Sequence, residues 1–124
     1  MSQNTAHQKL MDEILFAIGS LPECRVWPRN VGYAVPLHGS HPVHYGIDGE
    51  SDIDGIFAWG QRISVEVKTG KGVLNAKQIK WKNMILKFGG FYFEAHDLDS
   101  VLTAVKKEIA SRNGGERSSD PGRK

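Results

Sequence analysis

The stretch that most constrains the fold runs from Ser51 to Gly70 and reads SDIDGIFAWGQRISVEVKTG. Apolar and polar residues alternate on both sides of a short segment that ends in glycine, which is typical of two antiparallel strands joined by a tight turn. We predict a three-residue loop at residues 58–60, with Gly60 in the left-handed conformation that such loops need. One face of this hairpin is apolar and faces the core. Its residues are Ile53, Phe57, Ile63, Val65 and Val67.

The other face of the predicted hairpin is polar and places two carboxylates opposite each other. Its residues are Asp52, Asp54, Ser64, Glu66 and Lys68. In the register that the loop sets, Asp52 faces Glu66 at about 5 Å, where like charges destabilise a sheet unless a cation lies between them. A hard divalent ion such as Mg²⁺ or Mn²⁺ suits these oxygen ligands. Lys68 could stabilise a phosphate oxygen or hold an attacking water. The set predicts phosphodiester hydrolysis.

Two of these assignments have competitors. Charged residues that alternate along one face of a hairpin usually form a solvated surface, and this is the commoner meaning of Glu66 and Lys68 taken alone. Asp54 competes with Asp52 as the first carboxylate, because it projects from the same face and stands opposite Ser64. We favour Asp52, since it alone pairs with Glu66 in the predicted register.

The periodicity of the rest of the chain predicts a small α/β domain. A first helix ends at Gly19, short strands follow at residues 24–27 and 31–35, and residues 36–49 form a loop rich in Gly, His and Pro. After the hairpin, a helix is predicted over 75–88, a strand over 89–95 and a last helix over 97–112. This order is typical of a small mixed sheet flanked by helices.

Composition bounds the size and the location of the protein. A chain of 124 residues with 40% hydrophobic residues can form one core and is too short for two. We expect one domain over residues 1–111 and a disordered tail over 112–124, which lacks an apolar anchor. No apolar run approaches the roughly 20 residues that span a bilayer. The single cysteine, Cys24, has no partner for an internal disulfide, and we expect it to be buried. These features favour the cytoplasm.

Three motifs in the chain resemble a known nuclease family. They are GESDIDG at 49–55, EVKTGKG at 66–72 and NAKQIKW at 75–81, with RNVG at 29–32 upstream. Together they are similar to the virus-type replication-repair nuclease (VRR-NUC) domain, a branch of the PD-(D/E)XK nucleases. The resemblance covers roughly residues 10 to 95, and Ser51 stands where the motif name has proline. It implies a restriction-endonuclease-like core with the order αβββαβ, followed here by a C-terminal helix.

The resemblance also implies a role for each motif residue. Asp52 and Glu66 would be metal ligands, with the Val67 carbonyl as a third ligand. Lys68 would be the catalytic lysine. Glu13, on the first predicted helix, matches the acidic residue that family members contribute to the metal site from that helix.

Gln78 joins the predicted catalytic set because of its place on the second helix. It shares a helical stripe with Trp81, Ile85 and Phe88, so a polar amide occupies an otherwise apolar face. Gln78 is either a hydrogen-bonded residue of the helix end or an amide that reaches the active-site end of the sheet. In the second case it would hold Lys68, a water or a phosphate.

Basic residues are concentrated in the turn and helix after the hairpin. They are Lys71, Lys77, Lys80 and Lys82, and Arg29 lies upstream. Such a helix is often merely solvated, but beside a hydrolytic site it would bind DNA phosphates. His38, His41 and His44 lack a carboxylate or cysteine that would complete a zinc site, so we favour a loop near DNA and leave their role open. The TGKG segment at 69–72 lacks the rest of a phosphate-binding loop, so no nucleotide cofactor is expected.

These residues and the resemblance predict a structure-selective DNA endonuclease that depends on Mg²⁺ or Mn²⁺. The resemblance implies products with a 5′-phosphate and a 3′-hydroxyl. It also implies a homodimer that acts on branched DNA such as four-way (Holliday) junctions, in a bacterial or phage-infected cell and in association with the nucleoid. The alternatives are a nuclease for flaps or nicked duplex, and a DNA-binding module that keeps the fold without cleaving. No membrane partner is expected.

Overall fold

The computed structural model describes residues 2–29, 32–34 and 43–119. Nine elements follow one another in this part of the chain. They are α1 (Ser2–Gly19), β1 (Cys24–Pro28), β2 (Gly32–Ala34), β3 (Val43–Tyr45), β4 (Ile53–Phe57), β5 (Arg62–Val67), α2 (Ala76–Lys87), β6 (Phe91–Ala95) and α3 (Leu98–Ser119).

A mixed four-stranded sheet with the order β1-β4-β5-β6 forms the centre of the fold. The β1–β4 and β4–β5 pairs are antiparallel, whereas β5 and β6 are parallel and are connected through α2. Strands β2 and β3 form a separate antiparallel pair. The arrangement confirms the predicted α/β class, a small mixed sheet flanked by helices, and it is compatible with a restriction-endonuclease-like core.

The β4–β5 hairpin has the predicted register and loop. Ile53 pairs with Val65, and Asp54 pairs with Ser64. The amide of Phe57 donates to the Gln61 carbonyl at 2.9 Å, which closes a loop at 58–60 with Gly60 at a φ of 94°. Asp52 directly precedes β4, so continuing the register by one pair sets it opposite the end of β5 that carries Glu66.

The main core lies between the apolar face of the sheet and the helices α1 and α3. Ile14 and Ile18 of α1 and Val101 and Val105 of α3 are fully buried there. They belong to one cluster with the apolar hairpin residues Ile53, Phe57, Ile63, Val65 and Val67. Cys24 is also buried in this cluster, as predicted. This packing holds α1 against the strands that carry the motif residues.

The opposite face of the hairpin is covered by α2. Trp81 and Ile85 are buried there, and the Trp81 indole N–H donates to Ser64 Oγ at 2.9 Å. Ser64 Oγ in turn donates to Ser51 Oγ at 2.7 Å. Glu66 is only 3% exposed. A solvated hairpin face therefore does not explain the polar residues.

The loop before β4 approaches the first turn of α2 closely. Gly49 has a φ of 87°, and a Cβ at this position would lie 2.4 Å from the carbonyl oxygen of Lys77. A larger residue would have to push the two segments apart. This contact fixes the chain that leads into Asp52 against the helix that carries Gln78.

Three sequence-based expectations differ from the structure. Phe88 is 75% exposed, because α2 ends at Lys87 and Phe88 belongs to the turn that closes the helix. The strand β3 lies within the predicted loop 36–49. Helix α3 is longer than predicted and includes residues 112–119, which were assigned to the tail, because each residue added to a packed helix gains a backbone hydrogen bond. The domain boundaries themselves stay a prediction.

A membrane-crossing helix was not expected from the sequence. Across residues 2–29, 32–34 and 43–119, no helix is both long and apolar enough to cross a membrane.

Candidate active site

One end of the β4–β5 hairpin borders a pocket of about 330 Å³. Its lining brings most of the predicted site together. The lining residues are His7, Arg29, Asp52, Glu66, Val67, Lys68, Thr69 and Gln78. Glu13 does not take part: it lies exposed on α1 and outside this lining.

Asp52 is fixed by the backbone at the start of the hairpin. Its carbonyl accepts the Arg29 amide at 2.9 Å, which prolongs the β1–β4 pairing. Its Oδ2 accepts the Val67 amide at 3.0 Å and lies 3.3 Å from Nε2 of His7. Its Oδ1 lies 3.8 Å from the Arg29 guanidinium. The carboxylate is therefore held in place with one oxygen against the end of β5.

Glu66 is a buried carboxylate of which only one oxygen has partners in the protein. Its Oε2 accepts from Gln78 Nε2 at 2.9 Å and lies 3.6 Å from Lys68 Nζ. Its Oε1 has no hydrogen-bond partner, and no other side-chain oxygen or nitrogen buried in the described chain shares this condition. An unpartnered buried oxygen costs free energy, so Oε1 marks a position where a donor or a cation would bind favourably.

The charge balance around Glu66 leads to the same conclusion. Burial, and second the negative charge of Asp52, raise the pKa of Glu66 to about 7, against the opposing charges of Lys68 and Arg29. The two neighbouring cations thus do not compensate fully for the buried pair of carboxylates. A further cation beside Glu66 would favour its ionised form.

Gln78 is a hydrogen-bonded residue of the helix end, and its side chain also reaches the pocket, where its partner is Glu66. Its backbone amide donates to Asn75 Oδ1 at 2.9 Å, and its Oε1 accepts the Asn75 amide at 2.9 Å. This reciprocal pair is a capping box at the start of α2. The remaining amide group, Nε2, donates to Glu66. Gln78 therefore orients the carboxylate of Glu66, whereas the sequence suggested Lys68 as one of its partners.

Lys68 follows β5 directly and has its side chain in the pocket. Its amide donates to the Ala95 carbonyl at 2.9 Å, so the backbone stays attached to β6 beyond the end of the strand. Its side chain is 19% exposed. The ammonium group is thus held beside Glu66 and still has access to a ligand in the pocket.

The donor set fits a hard divalent cation. Asp52, the free Oε1 of Glu66 and the Val67 carbonyl supply oxygen atoms, which Mg²⁺ and Mn²⁺ accept. Within the described residues, no three His, Cys, Asp or Glu side chains lie together as a metal cluster. The Val67 carbonyl is therefore needed to complete a ligand set around the two carboxylates.

His7 is the residue that sequence reasoning missed. Its Nε2 lies 3.1 Å from the Val67 carbonyl oxygen and 3.3 Å from Asp52 Oδ2. A signal was present, because His7 precedes Leu10 and Ile14 by three and seven residues and so shares their face of α1. Glu13, next to Ile14, is turned away from this face. The resemblance implied an acidic residue on the first helix and gave no indication of the histidine that faces the sheet.

The predicted DNA-binding residues fall into two groups. Arg29 is in the pocket, where it also donates to the Glu50 carbonyl. Lys71 and Lys80 are exposed, and so is Lys77, whose Nζ lies 3.2 Å from Asp48 Oδ2. Lys82 is half-buried, with Nζ 5.9 Å from the centre of the Tyr92 ring.

The prediction that three histidines lie in a loop near DNA cannot be compared with the site. His38 and His41 lie outside the described residues. His44 belongs to β3.

Comparison with known proteins does not identify this chain. No protein-family model matches the sequence, and no curated protein matches it. The resemblance to VRR-NUC domains stays a prediction that rests on the motif residues.

Proposed function

We propose that this protein is a metal-dependent DNA endonuclease that hydrolyses phosphodiester bonds. The observation that carries the proposal is the unpartnered Oε1 of Glu66, a buried residue that lines one pocket together with a second carboxylate, Val67 and a lysine. Most buried side-chain oxygens in folded proteins have a hydrogen-bond partner, and a bound ion or water is a common explanation for one that has none. The motif set of the sequence gives independent support.

Each pocket residue has a defined task in this proposal. Asp52, Glu66 and the Val67 carbonyl hold Mg²⁺ or Mn²⁺, which supplies Lewis-acid polarisation of a phosphate oxygen and a lowered pKa of water. Gln78 fixes the orientation of the Glu66 carboxylate through its hydrogen bond to Oε2. Lys68 stabilises the negative charge that develops on the phosphate or positions the attacking water.

Positively charged residues near the pocket favour a nucleic acid as substrate. Arg29 is partly exposed in the pocket and can contact a phosphate of the bound strand. The exposed lysines Lys71, Lys77 and Lys80 follow Lys68 along the turn and α2. The contact between Lys77 and Asp48 is exposed and therefore weak, so a phosphate can displace it.

The finer features of the function come from the resemblance. We propose selection by backbone shape, because the motif set contains no element that would read base edges. Products with a 5′-phosphate and a 3′-hydroxyl, a homodimer, and action on four-way junctions belong to the same proposal, since two paired sites can cut two strands. So does a cytoplasmic, nucleoid-associated location. Flap or nicked-duplex cleavage and DNA binding without cleavage are the alternatives.

A substrate panel tests this function. The full-length protein would be incubated with end-labelled linear duplex, flap, nicked and four-way DNA, with Mg²⁺, with Mn²⁺ or with EDTA. We expect cleavage of the four-way junction in either metal and none in EDTA. Preferential cleavage of flaps or nicks would favour the first alternative. Binding without cleavage in both metals would favour the second, and metal-independent cleavage would contradict the proposal.

A further inference from the structure

The His7 side chain reaches two of the three oxygen groups that are proposed to hold the metal. Its Nε2 contacts both Asp52 Oδ2 and the Val67 carbonyl oxygen. These partners lie 45 and 60 residues further along the chain, so the packing of α1 against the sheet creates the cluster. Close contact of one nitrogen with two oxygens of a proposed metal site suggests more than a surface hydrogen bond.

The chemistry of these contacts defines the state of the ring in the metal-free protein. A carbonyl oxygen can only accept, so Nε2 must carry a hydrogen when it bonds to Val67. Asp52 Oδ2 accepts the Val67 amide and can accept a second donor from the side of His7. The N–H of His7 therefore faces both oxygens in the absence of a metal.

We propose that His7 is a nitrogen ligand of the metal in this site, an inference that rests on the proposed metal-dependent function. For this role the neutral ring would carry its hydrogen at Nδ1 instead of Nε2, which would leave the lone pair of Nε2 available to hold the ion. The number of protons on a neutral ring does not change in this exchange. His7 then takes the place on α1 that the sequence assigned to Glu13.

An imidazole ligand changes which metal the site prefers. Mg²⁺ selects oxygen ligands, whereas Mn²⁺ and later transition ions also accept imidazole nitrogen. Because His7, Asp52 and Glu66 do not form a ready three-ligand cluster among the described residues, the ion would have to draw the Glu66 carboxylate toward Asp52, the Val67 carbonyl and His7. The completed site should bind Mn²⁺ more tightly than Mg²⁺. His7 is thus a residue that determines metal specificity, and Glu13 in its place would have made an all-oxygen site.

His7 can be replaced without removing a core contact. Its side chain is 34% exposed, and α1 is attached to the core by Ile14 and Ile18, which are fully buried. His7→Gln keeps an N–H donor for the two oxygens and removes the imidazole, while His7→Ala removes both. His96→Gln is a matched control, because His96 contacts a carboxylate, Glu94 at 2.9 Å, and lies outside the pocket lining.

The test measures metal binding directly and needs no DNA. Metal-free wild type and each variant would be titrated with Mn²⁺ and with Mg²⁺, and pulsed electron paramagnetic resonance of bound Mn²⁺ would detect coupling to an imidazole nitrogen. We expect the coupling in wild type and His96→Gln, and its loss in both His7 variants. Mn²⁺ affinity should fall by about tenfold or more, since loss of an outer-shell partner alone costs 10- to 100-fold. Mg²⁺ affinity should fall less.

Asp52→Asn separates failure of this inference from failure of the proposed function. If wild type binds Mn²⁺ without imidazole coupling and Asp52→Asn weakens that binding, the metal site stands and His7 is not its ligand. If His7→Gln retains the coupling, the inference is likewise wrong. If Mn²⁺ fails to bind wild type, or binds Asp52→Asn equally well, both the metal site and the His7 assignment are overturned.

Discussion

Two pairs of carboxylates lie on the polar face of the hairpin and in the segment that leads into it, and they differ in how the protein neutralises them. The first pair is Glu50 and Asp54, and the second is Asp52 and Glu66. Both pairs contain a carboxyl whose pKa is raised to about 7, Glu50 in one and Glu66 in the other, with burial as the main cause in each case. A raised pKa and burial therefore do not distinguish them.

The partners of the two pairs do distinguish them. Arg62 donates to Asp54 Oδ1 at 2.7 Å, and the same guanidinium nitrogen lies 3.7 Å from Glu50 Oε2. A side-chain hydrogen bond joins Glu50 to Asp54. In the second pair, Oε1 of Glu66 is left without a partner beside a pocket. The comparison teaches that an unpartnered oxygen on a residue that lines a pocket separates the two pairs, whereas a raised pKa does not.

The largest expected effect is on catalysis, from Lys68→Ala. This change removes the charge that stabilises the transition state, so DNA cleavage should fall by about a hundredfold or more while folding and DNA binding stay nearly intact. Single-turnover cleavage and a binding titration measure the two properties separately. Lys87→Ala, an exposed lysine in the last turn of α2, is the control. Substantial activity in Lys68→Ala would end the assignment of this residue.

Arg62→Ala should produce the opposite pattern. It removes the cation from Asp54 and Glu50 and leaves a buried charge-assisted hydrogen bond unmade, which should lower the free energy of unfolding by about 2 kcal/mol. Cleavage by the folded protein should change little, because Arg62 does not line the proposed active site. Denaturant unfolding and cleavage below the melting temperature test both parts. A strong loss of cleavage with normal stability would mean that the two pairs are not distinct in function.

The different expectations for Lys68→Ala and Arg62→Ala depend on Asp52, and not Asp54, being the partner of Glu66. The sequence alone was sufficient to choose Asp52. The alternation of the strands and Gly60 in the loop determine the register, because slippage by one residue would turn the apolar face to solvent. Helix positions were less predictable. The end of α2 exposes Phe88, and the apolar stripe of the sequence gave no sign of this because Gly89 sets the turn.

The parts of the site that the sequence did not predict depend on contacts between distant segments. Glu66 is buried because α2 covers the polar face, and His7 enters the pocket because α1 packs on the opposite face of the sheet. Local periodicity indicates which side of a helix is apolar. It does not indicate which end of which strand will be reached by a side chain in the first turns of the helix.

The pH dependence of stability sharpens the comparison between the pairs. The pKa values of Glu50 and Glu66 in the folded protein lie above 4.5, the value of an unperturbed glutamate. Each group therefore adds to the free energy of unfolding when the pH is below 4.5 and both carboxyls are protonated. This stability is lost as the pH rises from about 4.5 through about 7, by an amount on the order of 2 kcal/mol for each group. In EDTA, Glu50→Gln and Glu66→Gln should each reduce the pH dependence.

Added metal should affect only one of the two contributions. A divalent ion binds ionised Glu66, so saturating Mn²⁺ should remove the contribution of Glu66 and leave that of Glu50. Denaturant unfolding at several pH values, with and without Mn²⁺, measures this. Equal responses of the two glutamine variants to Mn²⁺ would show that the pairs do not differ in metal binding.

Gln78→Ala should have the smallest effect among these variants, because it removes two side-chain hydrogen bonds at a helix end. The capping box and the contact to Glu66 are lost together, at a cost of under about 2 kcal/mol in stability. Cleavage should slow because the Glu66 carboxylate is no longer held. Asn75→Ala is a useful control, since it breaks the cap and keeps the Gln78 amide. Equal cleavage rates in the two variants would assign Gln78 a purely structural role.

The most direct test of a cation between Asp52 and Glu66 is the melting temperature of Asp52→Asn with and without Mn²⁺, beside Asp54→Asn. Without metal, Asp52→Asn should melt at the same temperature as wild type or higher. It removes a charge beside Glu66, and this gain should offset the weakened contacts with Arg29 at 3.8 Å and His7 at 3.3 Å, while an oxygen remains to accept the Val67 amide. Asp54→Asn should melt lower, because it loses its ion pair with Arg62.

With Mn²⁺, wild type and Asp54→Asn should gain stability, by about 2.7 kcal/mol at a metal concentration a hundredfold above the dissociation constant. Asp52→Asn should gain much less, since a charged ligand is missing. If Asp52→Asn were destabilised without metal and gained as much from Mn²⁺ as wild type, Asp52 would be a structural residue and the proposed metal site would be wrong.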